Sequence, residues 1–177
     1  SNFAVAMKEL LSNVLDDILA NVPKEKIDER VSLFKRNMHL LSYEVMANPI
    51  GVKGIGKYIS KDSETSFAKY KKGAPVHVKA AINYNSLIDH WYEGKRYEKI
   101  SNGTKIKWVY LKENTFGFDA IAFKGHEDPK EILELIKNHI DHKKMYEQAM
   151  SKKLGMFYKA MHWGGVEDKT TSMNRFF

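Results

Sequence analysis

Apolar side chains recur at three- and four-residue steps at both ends of this chain, and the pattern breaks in between. That arrangement confines the fold to a helical body with something other than helix set into its middle. Over residues 3–20 the stripe is Met7, Leu11, Val14 and Ile18, widened by Leu10 and Leu15. Pro23 then stands where a first helical turn tolerates it, and Ile27, Val31, Phe34, Met38 and Leu41 carry the period onward. Antiparallel packing of two such helices is the simplest outcome. A last stripe from about Lys143 holds Met150, Leu154, Phe157 and Met161, and Gly164-Gly165 ends it.

The middle reads differently. Pro49, Gly51, Gly54 and Gly56 punctuate the segment from Ala47, and Ser, Asp and Lys fill residues 60–72, so residues 47–73 are expected to be a loop or a mobile tip. Pro75 opens a helical stretch to about Glu93. Asn102-Gly103 is a turn dipeptide, Thr104–Lys112 alternates in the manner of a strand, and Asp119–Phe123 is short enough to pair with it as a hairpin. Asp128-Pro129-Lys130-Glu131 spells a helix start, with Asp as cap, Pro in the first turn and Glu reaching back. The expected class is α+β, mostly helical, with a small inserted β-hairpin: residues 1–163 as one domain and 164–177 as a linker and flexible C-terminal peptide.

Charge narrows the partners. The chain has 177 residues, and 29 Lys+Arg against 22 Asp+Glu give +7, which favours a polyanion, nucleic acid before membrane. With no cysteine, disulfides and thiolate metal sites are excluded. No apolar run reaches membrane-spanning length and no signal peptide is visible, so a cytoplasmic protein without a membrane partner is expected.

Four segments could carry chemistry. A helix beginning at Pro75 after Lys71, Lys72 and Gly73 presents unpaired N–H groups to an anion. On its wheel Lys79, Asn83, Ser86 and His90 share one side, which also reads as a plain solvated face. In the last helix Lys144, Gln148, Ser151, Lys152 and Lys159 fall together and could lie along a phosphate backbone, or be soluble surface. Gly51-Val52-Lys53-Gly54-Ile55-Gly56-Lys57 lacks the Ser/Thr of a nucleotide loop, yet suits the hairpin of a helix-hairpin-helix DNA-binding module or a simple turn. His139-Ile140-Asp141-His142 offers metal ligands, but a hydrolytic metal needs further converging carboxylates, so no metal is assigned. No Ser or Cys nucleophile constellation occurs.

The terminus is Met173-Asn174-Arg175-Phe176-Phe177. One turn of helix would set Met173 beside Phe176 and Phe177, so that all three could enter a single pocket on a partner. Replication proteins grip a sliding clamp with a terminal peptide of this kind, usually with Gln where this chain has Thr170. Alternatively the two Phe fold back onto the core.

In their order, these pieces resemble the C-terminal thumb region of a family B DNA polymerase of the T-even bacteriophage type. The resemblance rests on Gly73-Ala74-Pro75-Val76-His77-Val78-Lys79 with Asn83-Tyr84-Asn85, on Asn102-Gly103-Thr104-Lys105 through Asn114-Thr115-Phe116-Gly117 and Asp119–Phe123, on Ile140-Asp141-His142 with Leu154-Gly155-Met156, and on the tail. It departs from the family where Lys79 replaces an Arg, which loses a bidentate fork, and where the return helix is one residue shorter around Ser151–Lys153.

The resemblance implies a helical thumb that wraps a primer–template duplex through its backbone. Lys72, His77, Lys79, Asn83 and Asn85 would touch DNA from one element, and Lys144, Lys152 and Lys153 from another. Met173, Phe176 and Phe177 would bind the clamp. No Asp-Thr-Asp palm motif occurs, so the catalytic residues and the Mg2+ of nucleotidyl transfer belong to palm, fingers and exonuclease regions elsewhere. The chain would then be a piece of a polymerase, or the small polypeptide of one encoded in two parts. The runner-up is a stand-alone, clamp-associated DNA-binding accessory protein built on Gly51–Lys57, and the third is a metal nuclease built on His139 and His142.

Overall fold

The computed structural model describes residues 2–60, 69–93, 96–164, 167–168 and 171–175. In chain order the elements are α1 Asn2–Leu19, α2 Lys24–Met38, α3 Tyr43–Met46, β1 Asn48–Gly51, α4 Ile55–Tyr58, β2 Ile59–Ser60 and β3 Lys69–Tyr70. They continue with α5 Val76–Tyr92, β4 Lys105–Tyr110, β5 Ala120–Phe123, α6 Lys130–His139, α7 His142–Ala160, β6 Glu167–Asp168 and β7 Thr171–Arg175. The fold is α+β and mostly helical. Residues 1–46 with 142–177 form one compact unit, and residues 47–141 form the other. No helix among the described residues is long and apolar enough to cross a membrane.

In the first unit, α1 buries Phe3, Met7, Leu10 and Val14 at i, i+4, i+7 and i+11. The expected stripe through Leu11, Leu15 and Ile18 is rotated from this: Leu15 is exposed, and Leu11 and Ile18 are half-buried. The short link to α2 and the Arg30 Nε–Asp17 Oδ2 pair at 2.7 Å close the two helices into a hairpin. The helix α7 lies against both and buries Met145, Tyr146, Met150, Leu154 and Tyr158. Met161, expected in that core, is exposed, because Tyr158 rather than Met161 continues the buried line. Asp28 of α2 pins the packing. It accepts the hydroxyl of the fully buried Tyr158 at 2.6 Å and pairs with Lys24 Nζ at 2.6 Å.

In the second unit, an antiparallel sheet of order β1–β4–β5 is covered by α5. Ala80 and Ala81, both fully buried, leave room for α5 to approach β5, while Ile82, Tyr84, Leu87 and Ile88 fill the space around them. The expected β4–β5 hairpin is present, with Trp108 opposite Ala122 and Val109 opposite Ile121. Its turn is folded by one side chain. Asn114 donates to the carbonyls of Lys112 and Phe118 at 2.9 and 2.8 Å and accepts from the Phe116 N–H at 3.1 Å, with Gly117 at φ 68°.

Two expectations are corrected. Residues 47–73 are not simply a loop: β1 pairs with β4 from Asn48↔Trp108 to Gly51↔Lys105, and β2 pairs with β3. Pro49 and Gly51 hid β1 from a local reading. Pro49 is tolerated because β1 is an edge strand, needing hydrogen bonds on one side only. Nor does Asp128 cap α6, whose N-cap is Pro129 without a side-chain bond. The Asp128 carboxylate instead accepts the N–H groups of Lys124 and Gly125 at 2.9 and 2.8 Å and the hydroxyl of Tyr84 at 3.0 Å. Glu131 likewise turns away from the cap and accepts the Tyr92 hydroxyl at 2.7 Å.

A Tyr158→Phe substitution keeps the ring volume and leaves Asp28 with Lys24 alone. The lost bond to a charged acceptor is expected to cost about 1.5–3 kcal/mol, read as a lowered urea midpoint at unchanged slope.

Candidate nucleic-acid interface

The approach to α5 is a tight turn. Gly73 sits at φ 86°, a conformation a side chain would strain, and the Ala74 N–H reaches back to the Lys71 carbonyl at 3.3 Å. Pro75, at φ −60° and ψ 151°, is the N-cap rather than the first helical residue, so the helix starts one position later than its Pro suggests. The Pro75 carbonyl takes the Val78 and Lys79 N–H groups at 3.1 and 3.0 Å. Lys71 and Lys72 are exposed at the turn, and His77 and Lys79 are half-buried in the first helical turn.

A second segment joins this one. Gly54, at φ 89°, caps the single turn α4, and its carbonyl accepts the Lys57 and Tyr58 N–H groups at 3.1 Å each. The Ile55 N–H is taken by the Asn102 side chain at 3.2 Å. The Tyr58 carbonyl then accepts the Lys71 N–H at 2.7 Å, and Ile59 pairs with Tyr70. Lys71 is therefore bonded through its backbone to Tyr58, the residue that follows Lys57. Lys57 Nζ lies 5.2 Å from the centre of the Tyr58 ring, and Lys79 Nζ lies 5.7 Å from that of Tyr70. Lys57 and Lys79 thus each lie over a tyrosine ring, Lys71 and Lys72 are exposed at the turn between β3 and α5, and none of the four is in an ion pair with a carboxylate among the described residues. Asp119 bounds this patch, close enough for its charge to act on the Tyr70 hydroxyl.

His77 brings no full charge to this patch at neutral pH. Burial holds its imidazole below the ordinary 6.5, so it remains a neutral hydrogen-bonding group.

Asn83 and Asn85 do not join the patch. Asn83 is 1% exposed; its side chain accepts the Tyr70 hydroxyl and donates to the Ala120 carbonyl at 2.8 Å. Asn85 brackets Ile100, accepting its N–H at 2.6 Å and donating to its carbonyl at 2.8 Å. Both hold the unit together rather than face a ligand. The helical wheel placed Asn83 on a solvated side because it could not show the β3 residue Tyr70 covering that side.

The remaining sequence-derived residues lie in the other unit. Lys144 is half-buried on α7, and Lys152 and Lys153 are exposed. Lys153 follows Lys152 by one position and so points about 100° away from it, off the stripe that Lys144, Gln148, Lys152 and Lys159 share. At the C-terminus the backbone of Met173 belongs to β7, which pairs with β6 in the register Glu167↔Arg175 and Asp168↔Thr171. That extended stretch replaces the expected helical turn, and Phe176 and Phe177 lie outside the described residues. His142 Nε2 is 2.9 Å from the Leu41 carbonyl oxygen, and the His139 carbonyl accepts the Lys112 N–H at 2.6 Å. Among the described residues no three His, Asp or Glu side chains form a group that could hold a metal.

Tyr58 and Tyr70 are the residues a linear reading passes over. Their signal was available: Lys57-Tyr58 and Tyr70-Lys71 mirror one another in sequence, as two legs of a ribbon do. The Gly51–Lys57 loop is flanked by strands β1 and β2 and a single turn of helix, so it lacks the two helices that a helix-hairpin-helix requires. Comparison with protein-family models gives no match, and neither does comparison with curated proteins.

Two outcomes are expected. If this patch binds duplex DNA, Lys79→Ala lowers the salt slope of that binding at pH 7.5 by about 1, whereas His77→Gln leaves it unchanged. In urea unfolding, stability falls between pH 7 and pH 5, because the unfolded chain protonates His77 at about 6.5 while the folded chain resists. The variant His77→Gln loses less over that interval, and equal losses would remove this assignment.

Proposed function

We propose that this chain is the thumb of a DNA-directed DNA polymerase. It holds a primer–template duplex by its phosphates and leashes the enzyme to a sliding clamp. The supporting observation is that Lys57, Lys71, Lys72 and Lys79 come from α4, the turn after β3 and the start of α5, segments joined by the Tyr58–Lys71 backbone bond at the helix start that carries the sequence resemblance. Ammonium groups on flexible stems bind phosphate as point charges. Such contacts position a duplex without reading its bases, which suits a protein that must slide. The Lys144 and Lys152 stripe of the other unit supplies further cations on the same chemistry.

Bond formation belongs to a palm-and-fingers polypeptide, where paired carboxylates hold Mg2+ for nucleotidyl transfer. Met173, Phe176 and Phe177 serve as the clamp-binding peptide, raising the local concentration of the polymerase after each dissociation. As a phage protein it would work in the cytoplasm of its host.

If roughly four phosphates are neutralised, log affinity falls with log salt at a slope of about −3 to −4. Primer extension by a separately made palm-and-fingers polypeptide should rise on adding this chain, and the chain alone should incorporate no nucleotide. Deleting Met173–Phe177 should abolish clamp pull-down while leaving the helical circular dichroism signal, which comes from elements outside β6 and β7, intact. Nucleotide incorporation by the unaided chain would refute the assignment.

A further inference from the structure

Tyr70 closes the ribbon β2–β3, and it is held from two directions. Across the ribbon it pairs with Ile59. On its other side its hydroxyl donates to Asn83, and Asn83 donates in turn to the Ala120 carbonyl at the start of β5. A relay of two side-chain bonds therefore ties the ribbon, α5 and the sheet at one point. Asn83 is buried at 1% exposure, so water does not compete for its bond to Ala120. The Tyr70 hydroxyl is pushed up to about 12, mainly by burial and further by Asp119, with Asn83 opposing. It stays a donor throughout the physiological range.

Lys79 lies four residues before Asn83 on α5, so both project from the same side of the helix. Its ammonium stands over the Tyr70 ring at 5.7 Å. A free lysine stem loses rotamer entropy when a phosphate fixes it. A ring already in place beneath the ammonium removes part of that loss before the ligand arrives.

We propose that Tyr70 is a positioning residue for Lys79: Asn83 fixes the ring, and the ring holds the ammonium where it meets a phosphate of the duplex. This rests on the reading of the lysine patch as a phosphate-binding surface. It gives Asn83 a part in binding two steps removed from the ligand, in place of the direct contact its sequence position suggests.

The full chain and three variants test this. In the free protein, the ring current of Tyr70 should shift the Lys79 Hε resonances upfield. Tyr70→Leu should abolish that shift, and Tyr70→Phe, which keeps the ring but cuts its bond to Asn83, should reduce it. In titrations with a primer–template duplex, Tyr70→Leu should weaken binding on the order of 2–5-fold, the range of an exposed cation–π contact. In a Lys79→Ala background the same substitution should add nothing. A purely structural role would make the two losses multiply, and that result would overturn the proposal. If Tyr70→Leu fails to fold, Tyr70→Phe decides: an unchanged Lys79 shift refutes the relay. Failure of the unsubstituted chain to bind duplex DNA would overturn the phosphate reading along with this one. Binding with multiplying losses would sink the role of Tyr70 alone.

Discussion

One buried amide organises residues 47–141. Asn83 reaches the β5 backbone on one side and Tyr70 on the other, with almost no solvent exposure. An amide in such a place cannot be exchanged for an apolar side chain without stranding a carbonyl or a hydroxyl, each at about 1–3 kcal/mol. The close approach of α5 through Ala80 and Ala81 brings Asn83 within reach of Ala120. The turn at Gly73 lets β3 double back beside the helix it precedes. The lysine patch sits on the outside of this arrangement and inherits its rigidity.

The helical unit relies on a different device. There the buried polar junction is ionic: Asp28 receives Tyr158 from α7 and Lys24 from its own helix. A carboxylate in partial burial is costly unless its lone pairs are met, and here both oxygens have partners. Trp163 meets the Tyr158 ring edge-on at 5.2 Å, closing the end of α7 over the same point. The two units thus use the same principle, polar groups satisfied inside an apolar shell, with unlike chemistry.

What could be read from the linear chain was whatever local periodicity encodes. The helices α1, α2, α5 and α7 and the β4–β5 hairpin follow from spacing and turn residues, and they appear where expected. The strand β1 escaped because Asn48, Pro49 and Gly51 disfavour strand around the single β-branched Ile50, and its existence depends on partners more than fifty residues away. Asp128 looked like a cap because its neighbours fit a cap, yet the Lys124–Gly125 turn and Tyr84 claim it first. At the lysine patch, charge was legible and cover was not. Lys72 and Lys79 were visible as cations, whereas the withdrawal of Asn83 and Asn85 required seeing Tyr70 and Ile100 placed against them. The family resemblance supplied an order of segments but no geometry.

Pro49 has a bearing on solubility. The outer edge of a three-stranded sheet, unpaired on one side among the described residues, invites another chain to add a strand. An imino acid in β1 deprives that rim of one donor without disturbing the register toward Lys107. The residue that conceals the strand from inspection also keeps it from recruiting a stranger.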